Sequence, residues 1–129
     1  MSTAYLLDVS PMLALLWAGH QHHRRAKAWM EAGPALTVCP LTELGFLRIS
    51  TQPAYGATFE QAKRMLSGWK EYRQPRFIPC DVSALNMDTP STGRHTTDYY
   101  LASLAAKHGL QLATLDEGIK HKAVFLIPP

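Results

Sequence analysis

A chain of 129 residues, 47% of them apolar, is long enough to bury one substantial core, so we predict a single domain over residues 1–129. No apolar run approaches the roughly 18 to 20 residues of a membrane span, and the N-terminus lacks a basic signal start, so we expect a cytoplasmic protein with no membrane partner. Cys39 and Cys80 lie far apart beside prolines, which fits buried thiols better than a disulfide scaffold or a zinc knuckle.

The formal charge of +3 understates the positive charge of the predicted surface. Lys and Arg cluster in four stretches: residues 24–27, 63–64, 70–76 and 94–95. Such a surface suits a polyanionic partner, although basic residues at helical spacing are also typical of a solvated helix face.

The first third of the chain predicts two strands separated by two helices. Residues 4–7 form a short apolar run that is typical of a buried parallel strand. Ser10 can cap a helix with Pro11 in its first turn, and a second helix runs from about residue 22 to Gly33. Residues 35–39 are the next strand candidate.

The middle of the chain predicts two further helices and a short strand. One helix begins at Pro40 and ends at Gln52, before a proline. Thr58 and Gln61 form a capping-box pattern that opens an amphipathic helix to about Tyr72. The strand-like pair at residues 77–78 follows.

The last third predicts a loop, a helix and two strands. Residues 88–94 have the composition of a loop, and Thr96 or Thr97 can cap the helix that Gly109 ends. Residues 110–115 and 124–127 are strand candidates. Strands alternating with helices predict an α/β fold, with a mostly parallel central sheet flanked by helices on both faces.

Four acidic residues stand where this fold could bring them together. Asp8 and Asp116 each end a predicted strand, and Glu43 and Asp98 each lie in the first turn of a predicted helix. Ligands of open parallel sheets bind beyond the carboxyl ends of the strands, so all four could converge at one edge. Crowded carboxylates need a compensating cation, and oxygen ligands suit Mg²⁺ or Mn²⁺ better than zinc.

Each acid also has an ordinary structural explanation. Asp8 and Asp116 could be turn residues, and Glu43 and Asp98 could interact with helix dipoles. Four separate explanations that fall on one edge of one sheet favour a common cause, so we prefer the metal site.

The complete pattern resembles a known family. Its four segments resemble the four motifs of PIN-domain nucleases, in particular VapC-type toxins of bacterial toxin–antitoxin pairs: Leu6–Leu13, Thr42–Ile49, Thr97–Ala102 and Ala113–Asp116. The resemblance implies a single PIN-like domain and a ribonuclease that leaves a 5′-phosphate and a 3′-hydroxyl. It also implies a tRNA or rRNA target, a small VapB-type antitoxin and a homodimer.

The resemblance also implies roles for individual residues. Asp8, Glu43, Asp98 and Asp116 would form a catalytic site for one or two Mg²⁺ or Mn²⁺ ions. Hydroxyls that hold the carboxylates in register would come from Ser10, Thr97 and Thr114. Many family members have asparagine where this chain has Ser10, so the role of that residue is the least defined.

Other polar residues have less specific interpretations. Arg94 and His95 precede Asp98 and could contact an RNA phosphate or form an exposed loop pair, and Arg48 could bind RNA, bind the antitoxin or extend to water. The histidines at positions 20, 22 and 23 indicate a solvated helix start more than a metal site. The resemblance implies an antitoxin that wraps apolar grooves between the early helices and covers whatever is exposed of four residues, each of which is by itself better explained as a core residue: Met12, Leu16, Trp17 and Leu47.

Two alternatives come from other classes of protein. A phosphate-transfer enzyme with Asp8 as nucleophile would usually carry a second acid two residues later, where this chain has Ser10. A PIN-like module that binds RNA or protein without cleavage is the stronger alternative, although all four acids are present.

Overall fold

The computed structural model describes residues 3–129. Within that range five strands form one sheet: β1 (Ala4–Leu7), β2 (Ala35–Val38), β3 (Arg76–Phe77), β4 (Gln111–Thr114) and β5 (Val124–Leu126). The α-helices are α1 (Val9–Leu16), α2 (His23–Glu31), α3 (Pro40–Ser50), α4 (Phe59–Arg73) and α5 (Thr96–Lys107). Short 3₁₀ turns at Ala84–Asn86 and Gly93–His95 interrupt the long connection before α5.

The sheet is entirely parallel, with strand order β3-β2-β1-β4-β5. The chain moves from β1 through β2 to β3 on one side, and then places β4 and β5 on the other side. The direction of winding therefore reverses between β1 and β4, and such a switch point opens a crevice at the carboxyl ends of the two strands.

Helices cover both faces of the sheet, which confirms the predicted fold class. Side chains alternate along each strand, so Leu7 packs into a core beneath α1, α2 and α4, whereas Leu6 packs on the opposite face with residues of α5. Leu112 and Ala113 of β4 divide in the same way. Because β1 and β4 are covered on both faces, their ends are held rigidly where the candidate site lies.

The predicted elements are present, but two helix caps differ from the prediction. The capping box at Thr58 and Gln61 is confirmed, with both reciprocal hydrogen bonds formed. Asp8 caps α1 in place of Ser10, which lies inside the first turn. The residue at the cap position of α5 is His95, without a side-chain cap hydrogen bond. The prediction of a threonine cap is wrong there, because the preceding 3₁₀ turn leads directly into the helix.

One expectation about burial is also wrong. Cys39 is buried, but Cys80 is exposed because it follows β3 at the margin of the sheet. Met12 is completely buried in the core beneath α1, which agrees with the core role that its apolar character favours, whereas Leu16, Trp17 and Leu47 remain partly exposed. Across the described residues, the helices are too short or too polar to cross a bilayer.

Candidate metal centre

Asp8 lies at the centre of the candidate site, directly after β1. Its backbone N–H donates to the carbonyl of Ala113 on the neighbouring strand (3.0 Å), and only 5% of the residue is exposed. One carboxylate oxygen accepts from the Val9 N–H (2.8 Å), and the other accepts from the Thr114 hydroxyl (2.8 Å). The carboxylate is therefore fixed in orientation by two donors from two different elements.

The environment of Asp8 disfavours its charged form. Burial, and secondly the charge of Asp98, raise the pKa of Asp8 from its ordinary 3.8 to about 6, with a smaller contribution from Asp116. The hydrogen bonds from Thr114 and Val9 lower that pKa but do not compensate. Repulsion among the three carboxylates is what a bound cation would relieve.

Asp116 and Asp98 approach from two other elements. Asp116 follows β4, where its N–H donates to the Thr114 hydroxyl (3.1 Å) and one of its carboxylate oxygens accepts from the Gly118 N–H (2.8 Å). Asp98 lies in the first turn of α5, 3.1 Å from Nδ1 of His95. His95, Asp98 and Asp116 each present one donor atom, and all three atoms lie within 4.8 Å of one another.

Glu43 lies in the first turn of α3, which begins beside the same edge of the sheet. The Thr42 hydroxyl donates to the carbonyl of Leu7 (2.8 Å), immediately before Asp8. The Glu43 carboxylate, however, is paired with the ammonium of Lys70 on α4 (2.5 Å). The structure thus brings Asp98 and Asp116 together beside Asp8, and gives Glu43 a cation from the chain itself.

The predicted hydroxyl residues occupy different positions relative to the carboxylates. Thr114 bridges Asp8 and the backbone of Asp116, as described above. The Ser10 hydroxyl accepts from the Leu115 N–H at 3.4 Å and so ties α1 to the end of β4. Thr97 is exposed, and within residues 3–129 its hydroxyl hydrogen-bonds to none of the carboxylates.

The three residues predicted to contact RNA differ in burial and in distance from the acidic cluster. Arg94 is exposed in the 3₁₀ turn before α5, and Arg48 is exposed in the last turn of α3, at the opposite end of that helix from Glu43. His95 is buried inside the acidic cluster, with only 8% of the residue exposed.

Two contacts in this region were not predicted from the sequence: that of His95, named only as a possible RNA contact, with Asp98, and that of Lys70 with Glu43. His95 precedes Asp98 by three residues, a spacing at which side chains meet on a helical turn, so the sequence contained a signal for that contact. Lys70 is 27 residues from Glu43, and no local pattern connects them.

The donor set fits a divalent cation. Asp8, Asp98 and Asp116 offer carboxylate oxygens from three elements, which suits Mg²⁺ or Mn²⁺, and the raised pKa of Asp8 indicates uncompensated negative charge.

Residues 5–124 match the PIN domain family. The chain is 38% identical over 121 residues to Ribonuclease VapC38 of Mycobacterium tuberculosis, a match covering 88% of this chain and 86% of that protein. It is 35% identical to Ribonuclease VapC44 and 34% identical to Ribonuclease VapC39 of the same organism. Each of these two matches covers 92% of this chain and at least 90% of the relative. The chain belongs to the PIN-domain family and, within it, to the VapC-type ribonucleases, which confirms the predicted resemblance.

A solved structure supports the fold independently. FitAB bound to the IR36 DNA fragment contains a chain that superposes on this one with a TM-score of 0.64. The superposition covers 89% of this chain and 87% of the other, at 18% sequence identity. The PIN-type α/β architecture therefore has an experimentally solved counterpart.

Proposed function

We propose that this chain, acting as one domain over residues 1–129, is an endoribonuclease toxin that hydrolyses phosphodiester bonds in RNA with Mg²⁺ or Mn²⁺. The observation that carries the proposal is the convergence of Asp8, Asp98 and Asp116 at the switch point of a parallel sheet. Family membership supports ribonuclease chemistry, and the donor set supports its metal dependence.

The chain's own residues prepare the site for a cation. The Thr114 hydroxyl donates to a carboxylate oxygen of the buried Asp8 and accepts from the backbone N–H of Asp116. One side chain therefore positions two potential metal ligands. Asp98 adds a third carboxylate from the first turn of α5, a helix that packs against β4. When bound, a divalent cation supplies the charge that activates an attacking water and neutralises the phosphate oxygens. One or two ions fit this proposal.

Glu43 must leave its ion pair with Lys70 before its carboxylate can bind a metal ion. Its carboxylate is held by Lys70, whose ammonium also lies 4.7 Å from the centre of the Phe77 ring. We propose that Glu43 completes the acidic site when a divalent cation replaces the Lys70 ammonium, which competes for the same carboxylate. The pair lies at the margin of the site, with 34% of the Lys70 side chain and 19% of the Glu43 side chain exposed.

RNA binding is proposed for the basic surface around the site. Arg94 is exposed in the 3₁₀ turn four residues before Asp98, where its guanidinium is available to a phosphate. Arg48 is the second candidate, farther along α3. The proposed substrate class is structured cellular RNA such as tRNA or rRNA, in the cytoplasm.

The proposed protein partners are a small VapB-type antitoxin and a second copy of the chain. Trp17 and Tyr55 pack against each other with ring centres 5.2 Å apart and line an open surface groove of about 620 Å³ together with Met65. This groove offers an antitoxin segment partly exposed apolar contacts next to Arg64. Neutralisation would follow if a basic tail of the antitoxin reached the carboxylates.

Cleavage of mixed RNA by the purified chain tests the proposed function. We expect cleavage with Mg²⁺ or Mn²⁺, complete inhibition by EDTA, and products with a 5′-phosphate and a 3′-hydroxyl. Asp8→Asn, Asp98→Asn and Asp116→Asn should each reduce turnover by orders of magnitude while the protein remains folded. Activity in EDTA, or 2′,3′-cyclic phosphate products, would contradict the mechanism. RNA binding without cleavage would favour the non-catalytic module.

A further inference from the structure

Phe77 is a large apolar side chain that lies half exposed at the edge of the sheet. It ends β3, the outermost strand on its side, and 53% of the residue is exposed. A single exposed apolar residue is common on protein surfaces, so exposure alone does not indicate a function. The position of Phe77 is informative because of what its ring contacts.

One face of the Phe77 ring is occupied by a residue at the margin of the acidic site. The Lys70 ammonium lies over the ring, 4.7 Å from its centre, and the same ammonium pairs with the Glu43 carboxylate (2.5 Å). One cation therefore links the ring to the acid that we propose as a further metal ligand. Half of Phe77 is still exposed, so the ring retains free surface for a second flat partner.

The surroundings of Phe77 carry positive charge. The stretch 70–76 holds three basic residues and one acid. Arg76 directly precedes Phe77 in β3, is exposed, and forms no salt bridge within residues 3–129. Lys70 supplies a second positive charge once a divalent cation takes its place at Glu43. A flat apolar surface bordered by cations matches the bases and phosphates of a nucleic acid strand.

We propose that Phe77 stacks on an unpaired base of the RNA, beside the nucleotide whose phosphate lies at the carboxylates, and that Lys70 binds the phosphate between them. The proposal rests on the proposed RNA-cleaving function, because it adds a base-binding site next to the same centre. It also defines the substrate more narrowly. A base inside a duplex is already stacked on both sides and must be unstacked before it can lie on the ring, so Phe77 favours single-stranded segments such as loops. Stacking on a phenyl ring tolerates any base, so the site selects an unpaired base without reading its identity.

The chain contains a matched control for this aromatic–lysine pair. Phe59 is also 53% exposed, and the Lys63 ammonium lies over its ring, 5.8 Å from the centre. This second pair is at the opposite end of α4, roughly 16 Å along the helix axis from Lys70. The two rings thus share their chemistry and their exposure and differ in their position relative to the carboxylates.

Photo-crosslinking to RNA tests the stacking without a substitution at Phe77. An unstructured RNA that carries 5-iodouridine crosslinks mainly to an aromatic ring stacked on that base. The full chain with Asp98→Asn, in which the bound RNA should stay intact, should give a crosslinked peptide that contains Phe77 and none that contains Phe59. Crosslinks to Phe59 alone, crosslinks to neither ring, or absence of RNA binding would overturn the proposal.

RNA affinity provides a second readout. In the Asp98→Asn background, Phe77→Ala should weaken binding of the unstructured RNA by about 5- to 100-fold, whereas Phe77→Trp should retain it. Phe59→Ala should leave the affinity unchanged. A blunt RNA duplex should bind more weakly, with an affinity that does not depend on Phe77. Equal losses in the two alanine variants, or an equal loss for duplex and single strand, would overturn the proposal.

Cleavage and oligomeric state separate this proposal from its alternatives. Stacking at Phe77 without RNA cleavage by the wild type would refute the proposed function alone. Metal-dependent cleavage with kcat and KM unchanged in Phe77→Ala would refute the stacking alone. Sedimentation velocity tests a contact with a second copy of the chain. If Phe77→Ala converts a dimer into a monomer and leaves RNA affinity unchanged, Phe77 belongs to an interface between copies and the proposal fails.

Discussion

Replacing Asp8 by Asn should stabilise the metal-free protein at neutral pH while it removes activity. The pKa of Asp8 is raised from 3.8 to about 6 in the folded state by burial and then by Asp98. Ionising this group in the folded protein at about pH 8 therefore costs about 3 kcal/mol relative to the unfolded chain. Asparagine has almost the same shape and carries no charge, so it avoids that cost.

The hydrogen bonds of Asp8 reduce the expected gain. The Asn carbonyl can still accept from the Val9 N–H, but its amide group replaces the oxygen that accepts from the Thr114 hydroxyl. That mismatch costs about 1 kcal/mol. The net expectation at about pH 8 is that Asp8→Asn unfolds with a free energy about 2 kcal/mol higher than that of the wild type.

The sign of the effect depends on pH. Because the folded pKa of Asp8 is higher than the unfolded one, the folded wild type binds more protons between these values, and its stability falls as pH rises from 3.8 through about 6. Asp8→Asn lacks this titration. The advantage of the variant should therefore disappear by about pH 4, where the loss of the hydrogen bond leaves it equal to or slightly less stable than the wild type.

Urea unfolding in EDTA at several pH values measures this difference. Asp81→Asn is a suitable control, because the hydrogen bond from His108 holds the pKa of the exposed Asp81 below its usual value. That control should be less stable than the wild type at about pH 6, and its deficit should persist to about pH 4 and fade only as the pH falls below 3.8, where Asp81 is protonated in the unfolded chain and then in the folded protein. Mn²⁺ should stabilise the wild type more than Asp8→Asn. A stability difference for Asp8→Asn that is constant with pH would refute the reasoning.

Two other substitutions test the surroundings of the site. Gly45→Ala places a methyl group 2.5 Å from Cγ2 of the stiff Val9 side chain and should cost about 1–3 kcal/mol in urea unfolding, whereas Gly68→Ala meets nothing within 4 Å and should stabilise α4 by up to about 1 kcal/mol. Equal effects of the two would contradict the close approach of α1 and α3. Lys70→Met removes the cation held by Glu43 and should tighten Mn²⁺ binding by roughly three- to tenfold in calorimetry. Unchanged affinity would exclude Glu43 from the metal site.

Much of the architecture follows from patterns within short stretches of the chain. The apolar run of β1, the capping box of Thr58 and the alternation of strands with helices predict a parallel α/β sheet, because each depends on neighbours a few residues apart. The positions of Asp8 and Asp116 at strand ends then place them at one edge, since parallel strands align their carboxyl ends. Their catalytic assignment stays a prediction.

The tertiary structure decided the partners of these residues. Lys70 reaches Glu43 only because α4 packs against α3, and no local pattern encodes that crossing. His95 follows a stretch with the composition of an exposed loop, yet the 3₁₀ turn before α5 buries it beside Asp98 and Asp116. The sequence by itself thus determined which elements form and at which edge the acids lie. Burial and charge at the site depend on contacts between residues far apart in the chain, and only the packed structure determines those contacts.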